Sequence, residues 1–408
     1  MNFMVSERLN KLPPYLFAEI DRVKRALRAR GKELIDLGVG DPDRPTPPHI
    51  VKALGRAARD PATHTYSLDF GMAELREAIA GWYWRRFDVE LDPATEILPL
   101  LGSKEGIAHI PLAFVNPGET VLVPDPGYPV YASGTIFAGG VPVAMPLRKE
   151  NGFLADLDAV EKTVAEKARM MFLNYPNNPT AAVCGLDYLA AAAEFAGRHG
   201  IILCHDAAYT ELAYDGYCPP SFLQVPSAKE VGIEFHSLSK TYNMTGWRVG
   251  FAVGNKEIIK GLSAVKSNID SGIFQAVQRA AIAALNGPQE FRIDLLEMYR
   301  DRRDTLVDGL NSLGWEVPRP KATFYVWCRT PAGYDSASFT ALLLEEAGIV
   351  TTPGVGLGPS GEGYVRMALT RPVDELQKAV ERLGKLDVFG ARRSRDNSKD
   401  KSQITNPK

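Results

Sequence analysis

Ser237-Leu238-Ser239-Lys240, with Arg248 eight residues after the lysine in Thr245-Gly246-Trp247-Arg248-Val249-Gly250, combines an amine, two hydroxyls and a guanidinium. That set meets the needs of a phosphorylated aldehyde. The amine forms an imine, while hydroxyl and guanidinium donors hold a phosphate dianion. A lysine beside serines also occurs on solvated surfaces, so the reading depends on groups elsewhere that would serve the same small molecule.

Asp206 closes the apolar run Ile201-Ile202-Leu203-Cys204-His205, and Tyr209 follows three residues later. A carboxylate at a strand end can pair with a protonated pyridine nitrogen, and a nearby phenol can hydrogen-bond a ring oxygen. A helix N-cap with a packing tyrosine is the competing reading. Asn174-Tyr175-Pro176-Asn177-Asn178-Pro179-Thr180 reads as a turn after a strand, with an asparagine amide that could donate to the same ring oxygen. Gly102-Ser103-Lys104-Glu105-Gly106 follows a strand and opens a helix, offering N–H groups and a hydroxyl to a phosphate without the spacing of a Walker A loop. Tyr128, in Asp125-Pro126-Gly127-Tyr128-Pro129, presents an aromatic face that either stacks on a ring or packs in the core. Arg366 lies in Gly363-Tyr364-Val365-Arg366-Met367-Ala368-Leu369, flanked by apolar residues that would bury it. Its planar fork matches a substrate α-carboxylate or an internal acid.

The elements that position these groups alternate: strand Glu96 to Leu100, helix from Lys104, strand Thr120 to Val123, helix near Val130, strand Met170 to Asn174, helix Leu186 to Arg198, strand Ile201 to Cys204. Near-continuous apolar strands in such alternation predict an α/β fold with a mainly parallel sheet covered by helices on both faces. Ligands then bind beyond the carboxyl ends of the strands. An amphipathic helix from Tyr15 to Arg30, a strand Ile35 to Leu37 and a turn-rich loop Gly38-Val39-Gly40-Asp41-Pro42-Asp43 come first, the loop expected to cross between domains. Past Asn286 the pattern becomes a long charged helix, Pro288 to Leu313, strands Phe324 to Cys328 and Gly363 to Ala368, and a last helix to Leu386. The expected domains are an N-terminal segment 1–40 joining the small domain, a large domain 41–286, a small α+β domain 287–390, and a disordered polar tail 391–408.

Lys+Arg 47 against Asp+Glu 49 leaves a net charge of -2 over 408 residues, which gives no reason to expect nucleic acid. No run approaches the roughly 18 apolar residues that span a bilayer, and Met1 to Asn10 holds no apolar signal region, so a cytoplasmic protein off the membrane is expected. Cys184, Cys204, Cys218 and Cys328 lack paired metal-ligand spacing, and no H-E-x-x-H cluster occurs, so neither a disulfide framework nor a metal centre is expected.

In this order along the chain, the motifs resemble those of the fold type I, class I/II aminotransferases over essentially residues 1 to 390. The resemblance implies a large domain with a mainly parallel sheet plus a smaller α+β domain, and pyridoxal 5'-phosphate as cofactor. It implies that Lys240 carries the cofactor and moves a proton, that Asp206 pairs with the pyridine nitrogen, and that Tyr209 and Asn178 contact the ring oxygen. Tyr128 would stack on the ring, while Ser103, Lys104, Ser237, Ser239 and Arg248 would surround the phosphate. Arg366 would bind the substrate α-carboxylate. A homodimer is implied too, with Tyr66 reaching the neighbouring subunit's phosphate. Ala181 follows Asn178-Pro179-Thr180 where many relatives have glycine, and is expected at negative φ with Asn178 still inward.

Three stretches are most similar to LL-diaminopimelate aminotransferases: Gly38 to Asp43, Gly102 through Ile107 to Asn116, and Ser267-Asn268-Ile269-Asp270-Ser271-Gly272-Ile273-Phe274-Gln275. That resemblance implies substrate contacts at Tyr15 and Gly40, with Lys104, Tyr128 and Asn178 also facing substrate. The reaction implied exchanges an amino group between LL-2,6-diaminopimelate and the oxo acid 2-oxoglutarate, on the route to lysine. An aspartate, aromatic or alanine aminotransferase and a carbon–sulfur lyase are the alternatives on the same fold. A non-enzymatic regulatory module would carry an extra DNA-binding domain, and no helix-turn-helix segment is spare.

Overall fold

The computed structural model describes residues 3–12, 16–67 and 70–389, with the backbone alone for 16–20. Tyr15 and the tail 391–408 lie outside the described residues. The described residues form two compact units, one from 3–12, Asp41–Leu296 and Lys321–Thr323, the other from 16–40, Glu297–Pro320 and 324–389.

Strand β1 (Ile35–Asp36) lies in the smaller unit. The larger unit holds a seven-stranded sheet of β2 (Ile97–Leu100), β3 (Thr120–Asp125), β4 (Val141–Pro146), β5 (Ala168–Asn174), β6 (Ile202–Asp206), β7 (Gly232–Ser237) and β8 (Gly250–Gly254), in the order β2-β8-β7-β6-β5-β3-β4. The pairs from β4 to β7 are all parallel, and β8 is antiparallel to both of its neighbours. Every strand but β8 therefore ends on one side of the sheet.

Alternate strand residues enter opposite cores. Leu122, Met171, Leu173, Leu203, Phe251 and Val253 belong to one buried cluster with Tyr83 and Leu189, from helices Ala73–Phe87 and Leu186–His199. Val121, Val123, Met170, Phe172, Cys204, Phe235 and Ala252 belong to the other, with Ile107, Tyr131 and Leu262 from helices Ser103–Phe114, Val130–Phe137 and Lys256–Ile269. A strand buried on both faces needs apolar residues at every position, which is why the central strands read as continuous runs.

Two strands escape that pattern for physical reasons. β4 is a sheet edge, largely accessible, and carries Pro142 and Pro146 where a missing N–H costs little. β7 interrupts its apolar run with Glu234 and His236, which would be costly in a core without partners. The partners are present. Glu234 contacts His205 Nδ1 at 2.8 Å, His236 Nε2 at 2.7 Å, Ser221 Oγ at 2.9 Å and the Phe222 N–H at 2.7 Å, and accepts from the Tyr83 hydroxyl. Burial pushes its carboxyl up, but the hydrogen bonds and charges of His205 and His236 outweigh this and hold it well below the usual carboxylate range.

A depressed folded-state value means that the ion contributes stability above the unfolded value of 4.5 and loses it as the pH falls below that. Glu234→Gln should therefore destabilise the protein at pH 7 by about 3–5 kcal/mol, the cost of breaking a buried charged network. Its thermal midpoint should also fall less steeply on acidification than the wild type's. An unchanged midpoint at pH 7 would remove the network from the account of stability.

In the smaller unit, β1 pairs in parallel with a two-residue strand, and three others form an antiparallel sheet. In chain order these are β9 (Tyr325–Arg329), β10 (Ile349–Val350), the partner of β1, then β11 (Thr352–Pro353) and β12 (Tyr364–Ala368); β12 lies between β11 and β9. Helices Ser336–Glu346 and Val373–Leu383 belong to this unit. All four cysteines are free, with Cys218 exposed and the others buried. No helix among the described residues is long and apolar enough to cross a membrane.

Candidate active site

Glycine geometry builds one end of the site in the larger unit. Gly102 ends the chain's exit from β2 at φ +81 and serves as the N-cap of helix Ser103–Phe114, with no side chain capping that helix. The helix start thus presents N–H groups and the Ser103 hydroxyl, a combination suited to an anion. A Cβ at Gly102 would sit 2.5 Å from Arg248 Nη2, and one at Gly250 would lie 2.8 Å from the Ser103 nitrogen. Arg248 therefore lies beside the helix start, its Nη1 donating to the Thr245 carbonyl at 2.9 Å and its Nη2 to the Leu101 carbonyl at 3.3 Å. Its backbone is left-handed, φ 55, a conformation costing about 1 kcal/mol for a residue with a Cβ.

Ser237 ends β7 opposite Gly250 and caps the short helix Leu238–Thr241, its Oγ accepting from the Ser239 N–H at 3.2 Å. That helix carries Lys240, half-buried, one turn from the capping serine. The strand end, the helix N-terminus and Arg248 thus assemble three hydroxyl residues, an amine and a guanidinium within one neighbourhood.

The adjacent strand ends supply the second set. Asp206 is the last residue of β6, paired in register with Asn174, the last of β5. Asn174 Nδ2 donates to the Asp206 carbonyl at 2.7 Å, and its Oδ1 accepts from the Asn178 N–H at 2.8 Å, so the turn bearing Asn178 is locked to the strand end bearing Asp206. Tyr131 donates its hydroxyl hydrogen to Asp206 Oδ2 at 2.8 Å. Burial pushes the Asp206 carboxyl up, with that hydrogen bond and the neighbouring His205 opposing it. A cation beside the carboxylate would offset the burial cost, and a protonated ring nitrogen is such a cation. Tyr128 packs edge-on against Tyr131, centroids 5.9 Å apart, and Lys104 Nζ lies 5.8 Å from the Tyr128 ring centre. Tyr209 is buried in the segment just after Asp206.

Ala181 corrects one expectation: it has φ 58, not a negative value. The turn is closed by Asn177 N–H to the Ala182 carbonyl at 2.9 Å and Ala181 N–H to the Asn177 carbonyl at 3.0 Å. Closing five residues that tightly forces the left-handed conformation, which the small alanine side chain tolerates at about 1 kcal/mol.

Tyr66 is exposed at 76%, its carbonyl accepting from Gln275 Nε2 at 3.5 Å. In the smaller unit, Arg366 is buried on β12 opposite Trp327 of β9. Its Nη2 donates to the Gly38 carbonyl at 2.8 Å and to Thr352 Oγ1 at 3.3 Å, and its guanidinium lies 4.2 Å from the Tyr325 ring centre. Gly40 has no room for a side chain because the Tyr325 hydroxyl occupies the position.

A phosphorylated pyridine aldehyde fits the donors of the larger unit. The glycine-lined helix start, hydroxyls and Arg248 suit the phosphate, Asp206 a ring cation, and Lys240 the aldehyde. Replacing Gly102 by alanine places a methyl against the guanidinium at a positive φ. The variant should bind pyridoxal phosphate at least about tenfold more weakly, a loss of one charge-assisted contact, with inorganic phosphate competing less well. Equilibrium titration of the purified variant reads this directly, and wild-type affinity would exclude Gly102 from the cradle. Asn174 and Tyr131 were not singled out from sequence. The first signals itself only as a strand-terminal asparagine, and nothing in the local sequence separates the second from a core tyrosine.

A match to the family described as aminotransferase class I and II covers residues 32–383. The chain is 57% identical to the LL-diaminopimelate aminotransferase of Desulforudis audaxviator, over 94% of this chain and 98% of that one. It is 58% identical to the enzyme of the same name from Syntrophobacter fumaroxidans, over 95% and 100%. Among solved structures, substrate-bound BacF from Bacillus subtilis superposes with a TM-score of 0.92 at 40% identity, covering 95% of this chain and 99% of that one.

Proposed function

The chain belongs to the class I and II aminotransferases, and from that premise we propose that it is an LL-2,6-diaminopimelate:2-oxoglutarate aminotransferase acting in lysine biosynthesis. It is a pyridoxal 5'-phosphate-dependent transaminase of fold type I. The observation that carries the substrate reading is identity above 50% over nearly the whole length of both chains with enzymes named for that activity.

The cofactor, when bound, supplies an electron sink for negative charge at the substrate α-carbon. Each residue of the chain then has a task. Ser103, Lys104, Ser237, Ser239 and Arg248 hold the phosphate with hydroxyl, N–H and guanidinium donors. Asp206 would keep the ring nitrogen protonated, Tyr209 and Asn178 would hydrogen-bond the ring oxygen, and Tyr128 would stack on the ring. Lys240 would hold the cofactor through its amine, and its Nζ, once free, would take the proton from the substrate α-carbon as general base and return it as general acid. Arg366 orients the substrate by its α-carboxylate, so that the α-C–H bond is the one broken. Gly40 would contact substrate.

The working form is a homodimer in the cytoplasm. Supporting the dimer, Tyr66, Ile269 and Phe274 are large apolar side chains left 76%, 53% and 48% exposed, and Gln275 Nε2 ties their segments together at the Thr65 carbonyl, 3.1 Å away. A second copy covering that patch would bring Tyr66 to the neighbouring subunit's phosphate. A dimeric mass by sedimentation, lost together with cofactor retention in a Phe274→Glu variant, is the expected result; a monomeric active enzyme would refute it.

A donor screen tests the substrate. With 2-oxoglutarate as acceptor, glutamate should form fastest from LL-2,6-diaminopimelate and slowly from aspartate, alanine or phenylalanine. Fast turnover of aspartate or phenylalanine without turnover of LL-diaminopimelate would move the enzyme to the alternative reading.

A further inference from the structure

Asp206 is buried, and among the described residues two donors reach its carboxylate: the Tyr131 hydroxyl at 2.8 Å on Oδ2 and the Ala208 N–H at 3.3 Å on Oδ1. The first is the shorter and the only side chain of the two. Tyr131 is 1% exposed, so its hydroxyl has no water to turn to. Its ring stacks on Phe172 with centroids 5.0 Å apart and planes at 21°, and meets Tyr128 edge-on at 86°. Its carbonyl accepts from Thr135 Oγ1 at 2.8 Å, which locks the first turn of helix Val130–Phe137 from within.

Two constraints therefore converge on one phenol. The stack on Phe172, a residue of β5, sets where its ring lies; the helix start sets where its backbone lies; and the hydroxyl is left pointing at Asp206 at the end of the neighbouring strand. A carboxylate receiving a hydrogen bond from a fixed donor is confined to one rotamer, and a charged acceptor gains more from that bond than a neutral one. Burial alone would favour the uncharged acid at Asp206, so the donor acts against the main cost of keeping an anion there. Tyr128 lies one turn earlier on the same segment, which couples the ring-covering side chain to the same anchor.

We propose that Tyr131 is a positioning residue for the cofactor, its hydroxyl holding the Asp206 carboxylate toward the ring nitrogen and tying it to the segment that carries Tyr128. The proposal rests on the assignment of Asp206 to the ring nitrogen. Tyr131 does not touch the reacting atoms itself; it acts through Asp206.

Tyr131→Phe removes the hydroxyl and keeps the ring packed on Phe172. Wild type, Tyr131→Phe, Asp206→Asn and the double variant are compared by equilibrium titration with pyridoxal phosphate and by the near-visible absorption spectrum of the loaded protein, with thermal melting to confirm folding. Tyr131→Phe should bind the cofactor roughly ten- to a hundredfold more weakly, the worth of one hydrogen bond to a charged group. Its spectrum should move in the same direction as that of Asp206→Asn, though less far. The double variant should be no worse than Asp206→Asn alone, because a residue acting through Asp206 has nothing left to position. A merely structural tyrosine would instead give additive losses, and that outcome overturns the proposal. So does wild-type affinity and spectrum in Tyr131→Phe beside an impaired Asp206→Asn, a result that leaves the ring-nitrogen assignment standing. If Asp206→Asn itself matches wild type, the assignment falls and the Tyr131 role falls with it.

Discussion

Lys240→Ala should lose at least about ten-thousandfold in kcat if it removes both the proposed covalent anchor and the proposed general base, since general base catalysis alone contributes up to about that factor. Pyridoxal phosphate should still bind, through the helix start at Ser103, the serines of β7 and its following turn, and Arg248. What should vanish is the near-visible absorption of the wild type that borohydride bleaches with permanent labelling of the protein. Peptide mapping of borohydride-treated wild type should then find the label on Lys240. Label on Lys104, the other lysine of the site, would reassign the anchor while leaving the phosphate cradle intact.

Arg366→Ala carries the second large effect. Truncating one partner of a buried charge pair costs about 2–5 kcal/mol, so with Arg366 as the proposed partner of the substrate carboxylate, kcat/KM should fall by about thirtyfold or more. Both amino donor and oxo acid carry an α-carboxylate, so both should lose, while cofactor affinity and spectrum stay at wild-type values. Arg366→Lys should recover little of the loss, because an ammonium cannot reproduce the planar two-pronged donor set. Arg366 also donates to the Gly38 carbonyl, so melting temperature is followed alongside. A loss confined to one substrate, or wholly explained by unfolding, would remove the guanidinium from carboxylate recognition.

The parts of the candidate site that the sequence makes legible are local in sequence. A Gly-Ser-Lys turn opening a helix, a serine pair around a lysine, and an aspartate closing an apolar run each declare themselves within a few residues, and all three stand at the strand ends where an α/β sheet binds ligands. Tyr131 did not declare itself. Its partner is 75 residues away, and nothing in the local pattern separates a tyrosine that serves a carboxylate from one that fills a core. The direction of β8 was equally hidden, since strand polarity is decided by the path of the chain between β7 and β8 and leaves side-chain alternation unchanged. β7 was obscured by Glu234 and His236, whose burial is possible only because His205, Tyr83 and Ser221 arrive from distant segments. Ala181 shows the opposite case: a rule for side-chain-bearing residues pointed to negative φ, and the closure of the turn on Asn177 overrode it.

The half-reaction tests the central claim most directly. Wild-type protein loaded with pyridoxal phosphate is mixed with LL-2,6-diaminopimelate and no oxo acid, and its near-visible absorption is followed. The absorption should disappear with one equivalent of donor consumed per subunit and return when 2-oxoglutarate is added, with one equivalent of glutamate released. Absorption that stays unchanged with LL-diaminopimelate, yet responds to aspartate or phenylalanine, would contradict the account.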